Sequence, residues 1–105
     1  MQIGDLYTLL ASTGLPVTYN HWKEAHEPPY IVYLATGSDN EGADNKVCNK
    51  AINYDIELYT DKKDTETEAT LEILLDENKI FWDKVETYID GEKLYQVVYS
   101  IQLLD

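Results

Sequence analysis

An α+β fold, a mainly antiparallel sheet carrying two helices in the order α-β-β-β-α-β-β, is the architecture this sequence predicts. Three observations point to it. Two segments repeat their apolar residues at helical spacing, and five others alternate or run apolar at strand spacing. The connections between segments are short, and hairpin-type links favour antiparallel pairing with the helices packed on the sheet. The 105 residues amount to one domain, spanning 1–105, with enough chain for one core.

The first helix rests on Ile3, Leu6, Tyr7 and Leu10, which recur at i, i+3, i+4 and i+7. Gly14 stands at its expected stop, and Pro16 follows. Residues 17–22 (VTYNHW) are β-branched and aromatic, so they read as a strand. A polar connection, 23–29, ends in Pro28-Pro29. Residues 30–35 (YIVYLA) are apolar on both faces, which predicts a strand covered on two sides or set against a partner. Residues 37–45 (GSDNEGADN) carry loop signals throughout. Ile52, Tyr54, Ile56 and Leu58 then alternate with Asn53, Asp55, Glu57 and Tyr59, the pattern of a half-buried strand that begins as early as Val47.

The second helix should start near Asp64-Thr65, where Thr65 and Glu68 have capping-box spacing. Leu71, Leu74 and Leu75 form its buried stripe, Ile73 lies at the margin, and Asn78-Lys79 marks the end. Two strands close the chain: Ile80 to Ile89, then a run in which Tyr95, Val97, Tyr99, Ile101 and Leu103 face inward. Asp90-Gly91-Glu92-Lys93 makes the hairpin between them.

Eight Lys and Arg stand against twenty Asp and Glu, a net charge of -12. Such a surface repels nucleic acid and anionic lipid, whose binding needs clustered cations. No apolar run approaches the ~20 residues that span a bilayer. The opening Met1-Gln2-Ile3-Gly4-Asp5 has no basic region, so no signal peptide is expected. A single cysteine, Cys48, excludes an internal disulfide framework, and a cytosolic location follows.

Signals for chemistry are sparse. His21 and His26, with Glu24 and Glu27, stand in a Pro-containing loop rather than on one helix face, a poor basis for zinc. The stretch Asp39 to Asp44 puts Ala43 and Asp44 where a calcium loop needs an oxygen ligand and a glycine, and Gly42 is misplaced. Cys48 has no signature of an activated nucleophile. Carboxylate pairs such as Asp55 with Glu57, or Asp83 with Glu86, arise by chance among twenty acids. No catalytic residue, metal ligand or cofactor site is assigned. Nine tyrosines and two tryptophans offer large contact area at low entropy cost. Tyr54 and Trp82 read as core, and Tyr33, Tyr59 and Tyr88 as outward residues able to mark an assembly surface.

The stretch 42–47 (GADNKV), the run 54–64 (YDIELYTDKKD) and the segment 92–97 (EKLYQV) resemble small proteins from the head–tail modules of tailed phages and prophages of Gram-positive bacteria. The opening helix with Gly14-Leu15-Pro16-Val17, and Pro29-Tyr30-Ile31-Val32-Tyr33, is similar too, so the likeness covers nearly the whole chain. Wider relatives look like tail-completion, or tail-terminator, proteins. The resemblance implies an α+β subunit of a ring, often a hexamer, between head connector and tail tube, without cofactor or catalysis. It implies host cytoplasm before assembly and the virion neck afterwards. It supplies no functional residues one by one.

The expected mechanism is assembly through complementary surfaces. Tyr33, Asp39, Glu41, Asp44, Lys46, Tyr59 and Tyr88 are the candidate interface, with the loop from Asp39 to Lys46 ordering on a neighbouring subunit. At this charge, a ring would present DNA with a repelling bore. Two rivals stand beside this reading. An acidic DNA mimic would block a nucleic-acid-processing protein, but needs its acids in a regular stripe. An enzyme needs a converging nucleophile, base or metal.

Overall fold

Glycine and asparagine punctuate the chain where its elements turn. The structure, a computed structural model, describes residues 3–43 and 45–104, and for Ile3, Ala43 and Cys48 the backbone alone. Helix α1 (Ile3–Ala11) buries Leu6 and Leu10 completely and leaves Tyr7 half-exposed. After it the chain turns at Gly14, whose φ of 85° is open to glycine and costly for other residues.

Strand β1 is only Val17–Tyr19, shorter than the expected 17–22. Asn20 ends it at φ 69°, a left-handed conformation that asparagine tolerates, with its N–H donated to the Tyr33 carbonyl at 2.8 Å. The chain then crosses over, and β1 pairs in parallel with β2 (Tyr30–Ser38). This one parallel pair departs from hairpin expectations. The intervening segment 20–29 is long enough for a crossover, which parallel pairing requires.

Residues 37–45 do not form the predicted loop. Strand β2 continues to Ser38, and β3 (Glu41–Ala43) pairs with β4 (Lys46–Asn49) in a separate two-stranded ribbon. Asn45, at φ 63°, takes the left-handed turn position. At Gly42 a Cβ would come within 3.1 Å of the Lys46 carbonyl oxygen, so a larger residue there would push the strands apart by a few tenths of an ångström. Strand β5 (Ala51–Thr60) then returns along β2. The molecule is elongated, 50 Å long and 28 and 22 Å across.

Helix α2 (Thr65–Glu77) is capped by Asp64, not by the expected Thr65–Glu68 box. The Asp64 carboxylate accepts from the Thr67 N–H at 3.1 Å and its hydroxyl at 2.7 Å. Asn78 caps the other end, and Lys79 leaves the helix at φ 57°. Strands β6 (Trp82–Ile89) and β7 (Leu94–Leu104) follow as an antiparallel pair joined by the predicted turn.

The main sheet runs β1-β2-β5-β7-β6, antiparallel apart from β1 with β2. Directly opposed residues share a face, so the registers define two faces. On one, Ile31 and Tyr33, Ile56 and Leu58, and Val97, Tyr99, Ile101 and Leu103 meet Leu6, Leu10, Leu71 and Leu75 of the helices. Each fully buried leucine contributes about 1.5–3 kcal/mol. Among the described residues, the other face has no helix over it.

Candidate assembly surface

The open face consists of Tyr30, Val32 and Leu34 on β2, Asn53, Asp55, Glu57 and Tyr59 on β5, Gln96, Val98, Ser100 and Gln102 on β7, and Asp83, Val85 and Thr87 on β6. These positions carry acids and no lysine or arginine. Side chains lock together across the strands. Ser100 donates to Asp55 at 3.1 Å, and Gln102 donates to Asn53 at 3.0 Å. Gln96 donates to the Tyr59 hydroxyl at 2.8 Å, which itself donates to Glu57 at 2.9 Å.

That last chain perturbs both ionisable groups. Burial raises the Glu57 carboxyl above its ordinary value, against the Tyr59 hydrogen bond that lowers it, and the charge of Asp55 adds to the rise. Burial, with lesser help from Glu57 and against the Gln96 hydrogen bond, pushes Tyr59 up to about 12.

One corner of this face is covered by segment 20–29. Its Trp22 ring stacks on His26 at 3.6 Å and stands at 87° to Tyr30, which stacks on Tyr59 at 5.0 Å. Both histidines are exposed, and His26 Nδ1 lies 3.1 Å from the Glu24 carbonyl oxygen. The Trp22 indole N–H is buried without a hydrogen-bond acceptor among the described residues. Near the opposite end, Asn53, Asp55, Asp83, Ser100 and Gln102 join Lys79, Phe81 and Leu104 around an open hollow of about 610 Å³. Among the described residues, no three His, Cys, Asp or Glu side chains are grouped to hold a metal ion.

The predicted interface residues scatter across this architecture. Tyr33 is not outward: it is 4% exposed on the helix face, between the rings of Tyr7 and Tyr19. Its alternating neighbours in an all-apolar run gave no sign of which face was inner. Tyr59 lies half-buried in the open face, and Tyr88 is exposed on β6, 4.9 Å from Tyr95. Asp39 sits at the root of the ribbon, accepting from Asn53 at 2.9 Å and Gln102 at 3.3 Å. Glu41 accepts from Asn49 at 3.1 Å across the ribbon, and Lys46 is exposed near its tip. Asp44 lies outside the described residues.

Pattern reading missed Phe81 and Val85, exposed by 79% and 67%. Val85 alternates with Lys84 and Glu86 within 80–89, a period-2 signal that could have placed it. Also missed was a charge cluster binding α2 to β6 and β7. Glu68, 4% exposed, pairs with Lys63 at 2.7 Å and Lys84 at 3.2 Å. Lys63 also pairs with Glu86, and Lys84 with Glu72 at 2.7 Å, while the Tyr99 hydroxyl donates to Glu72 at 2.7 Å. Burial alone would raise Glu72, but the bonds from Lys84 and Tyr99 outweigh it and hold its carboxyl below the usual value. Burial, with the bond to Glu72, drives Tyr99 far up.

No protein-family model matches the chain, and no curated protein is significantly similar to it.

Proposed function

We propose that this chain is a non-catalytic structural part of a phage or prophage head–tail assembly, of the neck or tail-completion kind, working through subunit and partner interfaces. The observation that carries the reading is the β3–β4 ribbon. It forms a sheet of its own at the end of a long β2–β5 hairpin, and its residues are exposed wherever their side chains are described. A ribbon whose described side chains stand exposed is suited to packing against the next subunit. Contacts of that head-to-tail type close into rings when the rotation allows. The net charge of -12 suits a ring through which DNA passes without adhering. In this reading the chain resides in the host cytoplasm before assembly and in the virion neck afterwards, against connector and tail-tube proteins.

The test is molar mass by light scattering behind a sizing column, for the intact chain and for one with residues 41–49 replaced by a short Gly-Ser turn, each with and without tail-tube protein. A closed oligomer, alone or templated by the tube, that disappears with the ribbon upholds the proposal. A chain that assembles under none of these conditions, or equally well without the ribbon, overturns it.

The acids on the strands of the open face favour one other reading, an inhibitor that imitates DNA. Asp55 and Glu57 are engaged by Ser100 and Tyr59, which leaves little of the regular stripe such mimicry needs. Competition with duplex DNA for a nucleic-acid-processing enzyme separates the two.

A further inference from the structure

Strand β6 is the long free edge of the main sheet. It has eight residues and, among the described residues, pairs only with β7, while the other edge, β1, has three. An uncovered edge offers a row of backbone donors and acceptors to any second strand, and monomeric proteins usually obstruct it. Here the obstruction is weak. The one lysine on the strand, Lys84, is drawn onto the helix face by Glu72 at 2.7 Å and Glu68 at 3.2 Å. Val85, mid-strand, is 67% exposed, and Phe81, just before the strand, is 79% exposed.

We infer that β6 is a dimerisation edge that pairs antiparallel with β6 of a second copy, on a two-fold axis through Val85. The inference goes beyond the ribbon-mediated assembly and does not depend on it, because the ribbon extends β2 and β5 while β6 lies at the far edge.

The strand's order of residues selects both occupant and register. Centred on Val85, the pairing sets Lys84, which keeps its bonds to Glu72 and Glu68, opposite Glu86 of the second copy, which keeps its bond to Lys63 of its own chain, and the symmetry repeats that pair. Asp83 meets Thr87, Trp82 meets Tyr88, and Phe81 meets Ile89. Every pair is opposite in charge, apolar or neutral with acid. Directly opposed unlike charges and aromatic pairs stabilise a ladder, and like charges oppose it. Shifting the axis to Lys84 sets lysine against lysine, and shifting it to Glu86 sets glutamate against glutamate. Those shifts slip the register by two residues and keep the helices on one side, whereas a slip of one residue puts the helices of the two copies on opposite faces. Of the axes through Asp83, Lys84, Val85 and Glu86, which all keep the helices together, only that through Val85 avoids a like-charged pair; an axis at Thr87 avoids one too but shortens the ladder from seven strand residues to five. The result is a continuous ten-stranded sheet, with the helices of both copies on one side.

The decisive experiment is light scattering over a concentration series at low and high salt. A mass of twice 12.1 kDa is expected, populated more at high salt because two chains of charge -12 repel. Val85→Lys, which sets two cations on the axis, should abolish the dimer while leaving the far-UV circular dichroism unchanged. Should that variant not fold, Thr87 decides: Thr87→Lys, facing Asp83, should tighten the dimer several-fold, and Thr87→Asp should weaken it several-fold. In a Cys48→Ser background, oxidised Val85→Cys should form a covalent dimer and Thr87→Cys should not. A monomer at every concentration, or a dimer indifferent to these changes, overturns the inference. A larger ring that needs residues 41–49 but ignores Val85→Lys upholds the assembly reading and sinks this one.

Discussion

Tyr33 and Tyr88 are the same residue type on strands of one sheet, and their surroundings give them opposite roles. Tyr33 is enclosed by Tyr7, Tyr19 and the core, while Tyr88 keeps nearly half its surface in water. Tyr33→Ala should cost about 3–5 kcal/mol, as expected when a core aromatic is truncated. Tyr88→Ala should cost about 1 kcal/mol or less. Urea denaturation of the two variants checks the contrast, and equal losses would contradict the burial of Tyr33. The carboxyls of Glu72 and Glu57 pull stability in opposite directions with pH. Glu72 is held low in the folded state, so its contribution is present above its ordinary value of 4.5 and is lost as pH falls through its folded value. Glu57 is raised, so the fold gains from its proton, and that gain is lost as pH climbs from 4.5 through its folded value. Glu57→Gln should therefore be relatively more stabilising at pH 7 than at pH 4, as read from urea midpoints.

At the scale of elements, α2 is held to the sheet by both leucines and ions. Leu75 is fully buried, and Leu75→Ala should cost about 2–5 kcal/mol. Glu68 is the acid deepest in the charge cluster and bonds both lysines, so Glu68→Gln should cost about 1.5–3 kcal/mol. Added salt should narrow that difference only slightly, since buried charge is poorly screened. The ribbon behaves differently. It forms its own small sheet, and lengthening or shortening a surface connection costs little closure entropy. Replacing residues 41–49 by a short turn should leave the thermal midpoint within a few degrees, whereas Gly14→Ala, at φ 85°, should lower it. Calorimetry of both variants distinguishes an appended arm from a structural strut.

Over the whole molecule, charge sets the response to salt. With twenty acids against eight bases, the chain repels itself, and the described ion pairs engage only Lys63 and Lys84. Screening should raise the urea midpoint steadily between low and high salt, before any association is considered. The expected rise is the reverse of that for a fold held mainly by surface ion pairs. A flat or falling midpoint, measured at concentrations where light scattering reports monomer, would show that self-repulsion has little weight in the stability of the fold.

The sequence by itself determined the two helices, the five long or short strands of the main sheet and the inward residues of β5 and β7, because local periodicity and turn residues act over a few positions. Ile56, Leu58, Tyr99 and Ile101 were readable because each alternates with a polar neighbour. Tyr33 was not, since Tyr30–Ala35 is apolar on both faces and only packing against α1 chose between them. The parallel pairing of β1, the ribbon of β3 and β4, the Lys63–Glu68–Lys84–Glu72 cluster and the free edge of β6 were not legible in the local pattern. Apart from the ribbon, whose two short strands lie among residues that carry turn signals, each of these brings together groups far apart in the chain, or leaves a strand without a neighbour. No local pattern encodes which strand will stand last in a sheet.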